Sequence, residues 1–261
     1  DAEVLVVDQS ESSHTLTLMA EFPWVRYLRS GPGVSRGRNV AVAASSAPVI
    51  VFTDDDVNFG PEWLPRMRAA LAEPDVGAVC GRGIDSLGRR LPGGPAGVHR
   101  WPSDPFNLGH GFNVAFRRAA LLDAGPFDEL LGGGAPIPAA EDTDMLYRIL
   151  RAGWAVLCDD AITVRHHSWR GVDDERRVHT NYGAGFAAQT VKHVRRGDRV
   201  AARIAAHDLG RHAFWTAVAA ARRDGRTLRL QAAWARGVLA GRAQAVRAYE
   251  RHVVDPRRPS L

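Results

Sequence analysis

Three consecutive carboxylates, Asp54-Asp55-Asp56, follow the apolar run Val49-Ile50-Val51-Phe52. No other feature of the chain restricts its fold so tightly. A short, β-branched, uniformly apolar run is the pattern of a strand buried on both faces of a sheet. Carboxylates at the mouth of such a strand are costly to desolvate, and mutual repulsion adds to the cost. The triplet therefore points to a cation, or to a ligand that carries one. Alternate residues of extended chain face the same way, so Asp54 and Asp56 can share a ligand while Asp55 faces elsewhere. Hard oxygen donors of this kind suit Mg²⁺ or Mn²⁺ beside substrate phosphates. Read alone, the triplet is equally satisfied by a solvated acidic turn.

The strands on either side give the triplet its context. Glu3 to Val7 reads as a strand that runs into Asp8-Gln9-Ser10, and Val25 to Leu28 as a second. Helical spacing covers Ser35 to Ala44 before Pro48 introduces the central strand. Pro61 opens a helix carrying Trp63, Leu64, Met67 and Leu71, and Val76 to Cys80 is a further strand. This alternation predicts an α/β fold on a mostly parallel sheet. Gly81 to Gly111 loses all periodicity and reads as a long surface loop, of a length that is usually functional. Phe112 to Phe116 and a helix near Arg118 to Ala124 follow, then a Gly/Pro loop over Gly132 to Pro138. Glu141 opens a helix with the stripe Met145, Leu146, Ile149 and Leu150. Strands at Ala155 to Cys158 and Ile162 to Val164 lead to His166-His167. From about Asp173 to Val254, Ala, Arg and Leu recur at helical spacing, with breaks near Gly197-Asp198 and Asp224-Gly225. The division is thus 1–172 for an α/β domain and 173–261 for a helical appendage.

Composition narrows the classes. The 261 residues suit one large domain with an appendage, and the apolar fraction of 45% predicts a packed core. No run approaches the length of a bilayer span, and no signal peptide is visible. Cys80 and Cys158 are the only cysteines, read as buried free thiols in a reducing cytoplasm. Of the basic side chains only Lys192 is lysine. Arginine favours bidentate phosphate recognition, and a GC-rich genome produces the same bias. The net charge of +5 permits anionic partners, but the charge is spread out and no nucleic-acid motif occurs.

Four polar clusters fall at strand ends or helix starts: Asp8-Gln9-Ser10, the triplet, Glu141-Asp142-Thr143-Asp144 and His166-His167. In open α/β sheets ligands bind beyond the carboxyl ends of strands, so one crevice can collect all four. Each also has a plain structural account. Asp8 can cap a turn, the acidic cluster complements a helix N-terminus, and the histidines can be a structural pair. Arg36 and Arg38 can be merely solvated, and Gly109-His110-Gly111 merely a joint.

In order, VLVVDQSES, GVSRGRNVAVAASSAPVIVFTDDDVNFGPEWL, GHGFNVAFRRAALLDAGPFDELLGGG, EDTDMLYRILRAGW and VRHH resemble the family 2 glycosyltransferases of the GT-A fold, over about residues 3 to 170. The resemblance implies a three-layer GT-A domain that transfers a sugar from a nucleoside diphosphate sugar, with inversion, to an acceptor hydroxyl. The donor would be UDP-, dTDP- or GDP-linked and the cofactor Mn²⁺ or Mg²⁺. Asp8 matches the residue that holds the nucleoside base. Asp54 and Asp56 match the outer positions of the DxD motif, Asp54 towards the ribose with Asp55 beside it, and Asp56 as metal ligand. Asp142 matches the catalytic base, with Glu141 beside it. His166 matches a metal-site histidine, a part His167 could also take. Arg38 and His110 fall in matching segments and are assigned to the nucleotide sugar. These residue types suit the chemistry, in which the departing diphosphate needs positive charge and the attacking hydroxyl needs a carboxylate to take its proton.

Two departures stand out. Family members begin with a further strand and helix before the segment matching Val4 to Ser10, and here the chain starts at that second strand. That strand supplies part of the nucleotide pocket, so truncation, a disordered start or inactivity of the chain alone is expected, and one side of the sheet lacks its usual neighbour. No QxxRW-type motif follows His167, which favours single addition over processive synthesis. A sugar nucleotidyltransferase would also hold a diphosphate and a metal, but would want a Gly-rich basic loop on its first strand. A non-catalytic module docking through the basic C-terminal helices is the reading from another class, with peripheral contact on the inner membrane face.

Overall fold

The computed structural model describes residues 2–106, 108–167 and 174–250. The predicted boundary at 172–173 and the chain beyond Glu250 lie outside them. The chain divides into two compact units, one of residues 1–136 with 141–167, the other of 137–140 with 168–261.

In the first unit, β1 (Val4–Asp8) and β2 (Val25–Arg29) flank the short helix α1 (His14–Met19), and pair in parallel as a two-stranded sheet. Helix α2 (Val34–Ala44) leads to β3 (Val49–Phe52). Next come β4 (Val57–Phe59), α3 (Trp63–Ala70), β5 (Val76–Ile84), β6 (Gly97–His99), β7 (Val114–Arg117), α4 (Arg118–Ala124), α5 (Glu141–Arg151) and β8 (Ala155–His166). A second sheet has the order β3-β7-β5-β8-β4, with β6 also on β8. Among the described residues β1 pairs only with β2, and β3 only with β7.

Period-2 alternation explains why these strands are apolar throughout. Ile50, Ala78, Cys80, Val114, Phe116, Val156 and Cys158 face one core, shared with Leu121 of α4 and Met145, Leu146, Ile149 and Leu150 of α5. Val79, Ala115, Ala155, Ile162 and Val164 face the other, covered by Trp63, Met67 and Leu71 from α3 and the residue after it. The sheet is the middle of three layers, so its strands have no polar face to show.

The expected mostly parallel sheet is corrected to a mixed one. Only β5 and β8 run parallel in the larger sheet, while β3–β7, β7–β5, β8–β4 and β8–β6 are antiparallel. The connection explains this. Between β5 and β7 lies no crossover helix, only a loop and the three-residue β6, so β7 enters from the end at which β5 leaves. The segment 81–111 is also not all loop: residues 81–84 continue β5, and 97–99 form β6. The two strands expected within 155–164 are one twelve-residue strand, with an irregularity after Cys158.

The second unit contains α6 (Asp174–Arg195), α7 (Arg199–Ala221) and α8 (Gly225–Glu250). The breaks fall where Asp198 and Asp224 cap the following helices. Asp198 accepts from the Val200 amide (3.0 Å) and Asp224 from the Thr227 amide (3.0 Å). Helices α6 and α8 pack through small residues. A Cβ on Gly237 would collide with the Thr180 carbonyl oxygen, one on Gly183 with the Trp234 carbonyl oxygen, and one on Gly241 with the Ala184 backbone. Only glycine permits so close an approach. No helix of the described residues is long and apolar enough to cross a membrane.

Candidate active site

The aspartate triplet is the link from β3 to β4, strands at opposite ends of the sheet order. Asp54 is open to solvent but recessed among neighbours. That crowding raises its carboxyl, Asp56 and Asp55 add to the rise, and Arg38 and His166 oppose it. Asp56 is brought to His166 because Val57 pairs with His166 in the β4–β8 ladder. Its Oδ1 lies 3.5 Å from His166 Nε2, too long for a hydrogen bond, and that oxygen is buried without a hydrogen-bond partner. His167 is exposed and reaches Asp56 only through its backbone, its N–H donating to the Asp56 carbonyl (2.8 Å).

This donor pair fits a divalent cation. A buried, unpartnered carboxylate oxygen facing an imidazole nitrogen is a polar deficit that a hard cation removes. Among the described residues no group of three or more His, Cys, Asp and Glu side chains could hold a metal. Two protein donors with the rest from phosphate and water is how Mg²⁺ usually sits beside a nucleotide.

Glu141 and Asp142 sit at the first turn of α5. The Glu141 carboxyl is pushed up to about 7, first by burial and then by Asp142, against the pull of Arg38. Arg38 is itself buried, between Phe52 and Phe127, its guanidinium carbon 5.5 Å from each ring centroid. Its Nη1 donates to Glu141 Oε1 (3.3 Å) and its Nη2 to the Gly111 carbonyl (3.1 Å). Asp142 accepts from the Gly111 amide (3.0 Å) and the Thr143 amide (2.8 Å). Asp144 of the same cluster turns away: fully buried, it accepts from Arg148 (2.9 Å).

His110 stacks flat on Phe112, centroids 4.9 Å apart, and Phe112 in turn faces His166 at 4.6 Å. Burial lowers the His110 pKa against the attraction of Asp142. The ring is therefore neutral at neutral pH, and its Nε2 is buried with no hydrogen-bond partner. Asp8 ends β1. The Tyr27 hydroxyl (2.7 Å) and the Ser10 amide (2.8 Å) hold its carboxyl down at about 2, the former more strongly.

Of the residues singled out by sequence, Arg38, Asp54, Asp56, His110, Glu141, Asp142 and His166 thus act on one another electrostatically. Asp55 reaches this group only through its repulsion of Asp54. Asp8 is engaged with Tyr27, Ser10 and Arg29 instead. Three supporting residues escaped sequence reasoning. Phe112 forms the aromatic floor between the two histidines. Gly132 leaves room for Glu141, since a Cβ there would lie 3.1 Å from the Glu141 carboxyl carbon and 2.5 Å from Val34. Asn113, fully buried, accepts from the Trp63 indole (2.8 Å) and donates to the Arg82 and Ile162 carbonyls (3.0 and 3.1 Å), stitching β5 to β8 where their register shifts. An amide inside the apolar run Phe112 to Phe116 was the available signal, because a buried amide must find partners.

A three-layer α/β domain with acidic clusters and a buried arginine at its strand ends is a GT-A-like fold, and solved structures agree. A mannosyltransferase from Pyrobaculum calidifontis in complex with GDP-Man and Mn²⁺ superposes with a TM-score of 0.60 at 18% identity, over 94% of this chain and 77% of that one. TarS from S. aureus in complex with UDP-GlcNAc gives 0.52 at 19% identity, over 70% of this chain and 57% of that one. At these identities the likeness establishes the fold. Residues 1–122 match the family described as Glycosyl transferase family 2. A pre-mycofactocin glycosyltransferase of Mycobacterium tuberculosis is 24% identical over 173 residues, covering 62% of this chain but only 36% of that protein.

Proposed function

We propose that the chain transfers a sugar from a nucleoside diphosphate sugar to an acceptor hydroxyl, with inversion, by single displacement. The observation that carries this reading is that two acidic groups of different character, Asp54 and Glu141-Asp142, act on each other with Arg38 opposing their repulsion. Asp54 and Asp56 with His166 form a cation- and diphosphate-binding edge, and Asp142 sits on the Gly111 amide at the start of α5. A divalent ion, Mn²⁺ or Mg²⁺, held by Asp56 and His166 would neutralise charge on the departing diphosphate. Asp142 takes the proton of the attacking hydroxyl, and one such base is sufficient for inversion. Glu141 positions Arg38, whose guanidinium adds positive charge near the phosphates. Asp54, with Asp55 beside it, faces the ribose, and Asp8 the nucleoside base. The neutral His110 presents Nε2 as an acceptor to a sugar hydroxyl. Residues 1–172 form the transfer domain and 173–261 a helical appendage, in a cytoplasmic protein.

The donor is a nucleoside diphosphate sugar, a reading supported by the GDP-Man and UDP-GlcNAc bound to the structural relatives. A screen of UDP-, GDP- and dTDP-linked sugars for thermal stabilisation, with Mn²⁺ and with EDTA, tests it. The expected result is stabilisation by one donor class only when the metal is present. Stabilisation by none of them, or by all equally in EDTA, would overturn it.

A further inference from the structure

The helical unit carries a surface that the transfer reaction does not use. From Ala206 to Ala221, about 22 Å of helix, α7 exposes no charged side chain apart from half-buried Arg211, which donates to Asp208 (2.9 Å). At 3.6 residues per turn Ala206, Leu209, Ala213, Phe214, Ala217 and Ala221 fall on one side, and all are exposed. Phe214 is 61% exposed and Leu209 45%. Trp215, 49% exposed, lies round the helix from this face, its ring meeting that of Phe214 edge-on at 5.4 Å. The one acid of this helix, Asp208, is buried on the opposite side.

An apolar face of this kind on a helix marks a contact surface, and the surrounding charge selects the contact. Exposed Arg199 and Arg203 stand at one end of the face, and exposed Arg222 and Arg223 at the other. Residues 174–250 hold fifteen basic against six acidic side chains, a net +9. Residues 1–173 hold sixteen against twenty-two, a net −6. A second copy docked through the same face would bring +9 against +9, whereas an anionic lipid surface complements it. Aromatic and leucine side chains on one face with arginines around them are what an interfacial helix presents to lipid.

We propose that the exposed face of α7 seats the protein on a membrane surface rich in anionic phospholipid. Phe214 and Leu209 enter the boundary between headgroups and acyl chains, and the arginines at both ends of the helix meet the phosphates. The inference stands on the helical unit alone and does not depend on which sugar is transferred.

Co-sedimentation of the full chain with phosphatidylcholine vesicles, and with vesicles holding about 30% phosphatidylglycerol, tests it. Pelleting is expected with the anionic vesicles only, and it should fall several-fold when salt is raised to about 0.5 M. The Leu209→Ser/Phe214→Ser double variant should bind about tenfold more weakly or worse, with unchanged helix content by circular dichroism. Arg222→Gln/Arg223→Gln, which removes no apolar surface, should weaken binding to anionic vesicles several-fold. Absence of pelleting with anionic vesicles would overturn the proposal, as would undiminished binding by the serine variant. A dimer seen by light scattering and abolished by Phe214→Ser, without lipid binding, would assign the face to a second copy instead.

Discussion

The two units bury their interiors by opposite means. In the α/β unit, large side chains fill the space between layers: Tyr147, Phe116, Met67 and Met145 are almost wholly buried. Buried polar groups such as Asn113 and Arg38 are accommodated because each finds defined partners. In the helical unit α6 and α8 meet backbone to backbone across glycine and alanine, with Gly183, Gly237 and Gly241 at the closest points. The carboxylates Asp54, Asp56, Glu141 and Asp142 stand at the ends of strands and helices of the α/β unit. The helical unit instead presents an exposed outer face on α7. The charges divide in the same way, acidic on residues 1–173 and basic on 174–250.

Substitutions in each unit can break this contrast. The largest effect expected is on chemistry in the first unit. Asp142→Asn should lower turnover by about 10²- to 10⁴-fold while metal-dependent nucleotide affinity, measured by calorimetry, stays near wild type. Equal loss of both would remove Asp142 from the role of base. In the second unit Gly237→Leu forces a side chain against the Thr180 carbonyl, and should cost about 3 kcal/mol or more in denaturant unfolding. A stable variant would show that α6 and α8 tolerate separation.

Asn113→Ala strands the Trp63 indole and two buried carbonyls, and should cost about 2–3 kcal/mol. The same measurement on the glycine and asparagine variants compares the two packing modes directly. A smaller effect concerns pH. Glu141 binds its proton up to about pH 7 in the folded chain, against an ordinary value of 4.5. Between those values the folded state holds more protons than the unfolded one, so this stabilisation is complete below 4.5 and lost as pH rises through 7. Glu141→Gln should flatten the decline, gaining roughly 1–3 kcal/mol at pH 8 relative to pH 5 when compared with wild type. A parallel decline in both proteins would show that Glu141 does not cause it. Smallest of all, Phe214→Ser should alter stability by less than about 0.5 kcal/mol, because its side chain is largely exposed in the folded chain as in the unfolded one. A large loss of melting temperature would place Phe214 in a core, contrary to its exposure.

Much of this was legible in the chain itself. The period-2 and period-3.6 patterns located β1, β2, β3, β7, α2 to α5 and the three C-terminal helices, and the helix breaks at Gly197-Asp198 and Asp224-Gly225, because burial on one face or two leaves a local signature. The short β4 and β6 escaped, since three residues carry no period. The acidic and histidine clusters were visible for a related reason: charge at the end of an apolar run is locally anomalous.

Strand direction was not legible, because burial on both faces looks the same in parallel and antiparallel strands, and only the path of 85–113 set β7 against β5. Nor could the chain show which histidine meets Asp56. That follows from the β4–β8 register, a contact between residues more than 100 positions apart. The sequence by itself determined which residues were available for chemistry and which helices would be apolar. Only the tertiary structure decided which carboxylates act on one another, that Asp144 serves the core instead, and that one apolar helix face stays open, since each is settled by long-range partners that local pattern does not encode.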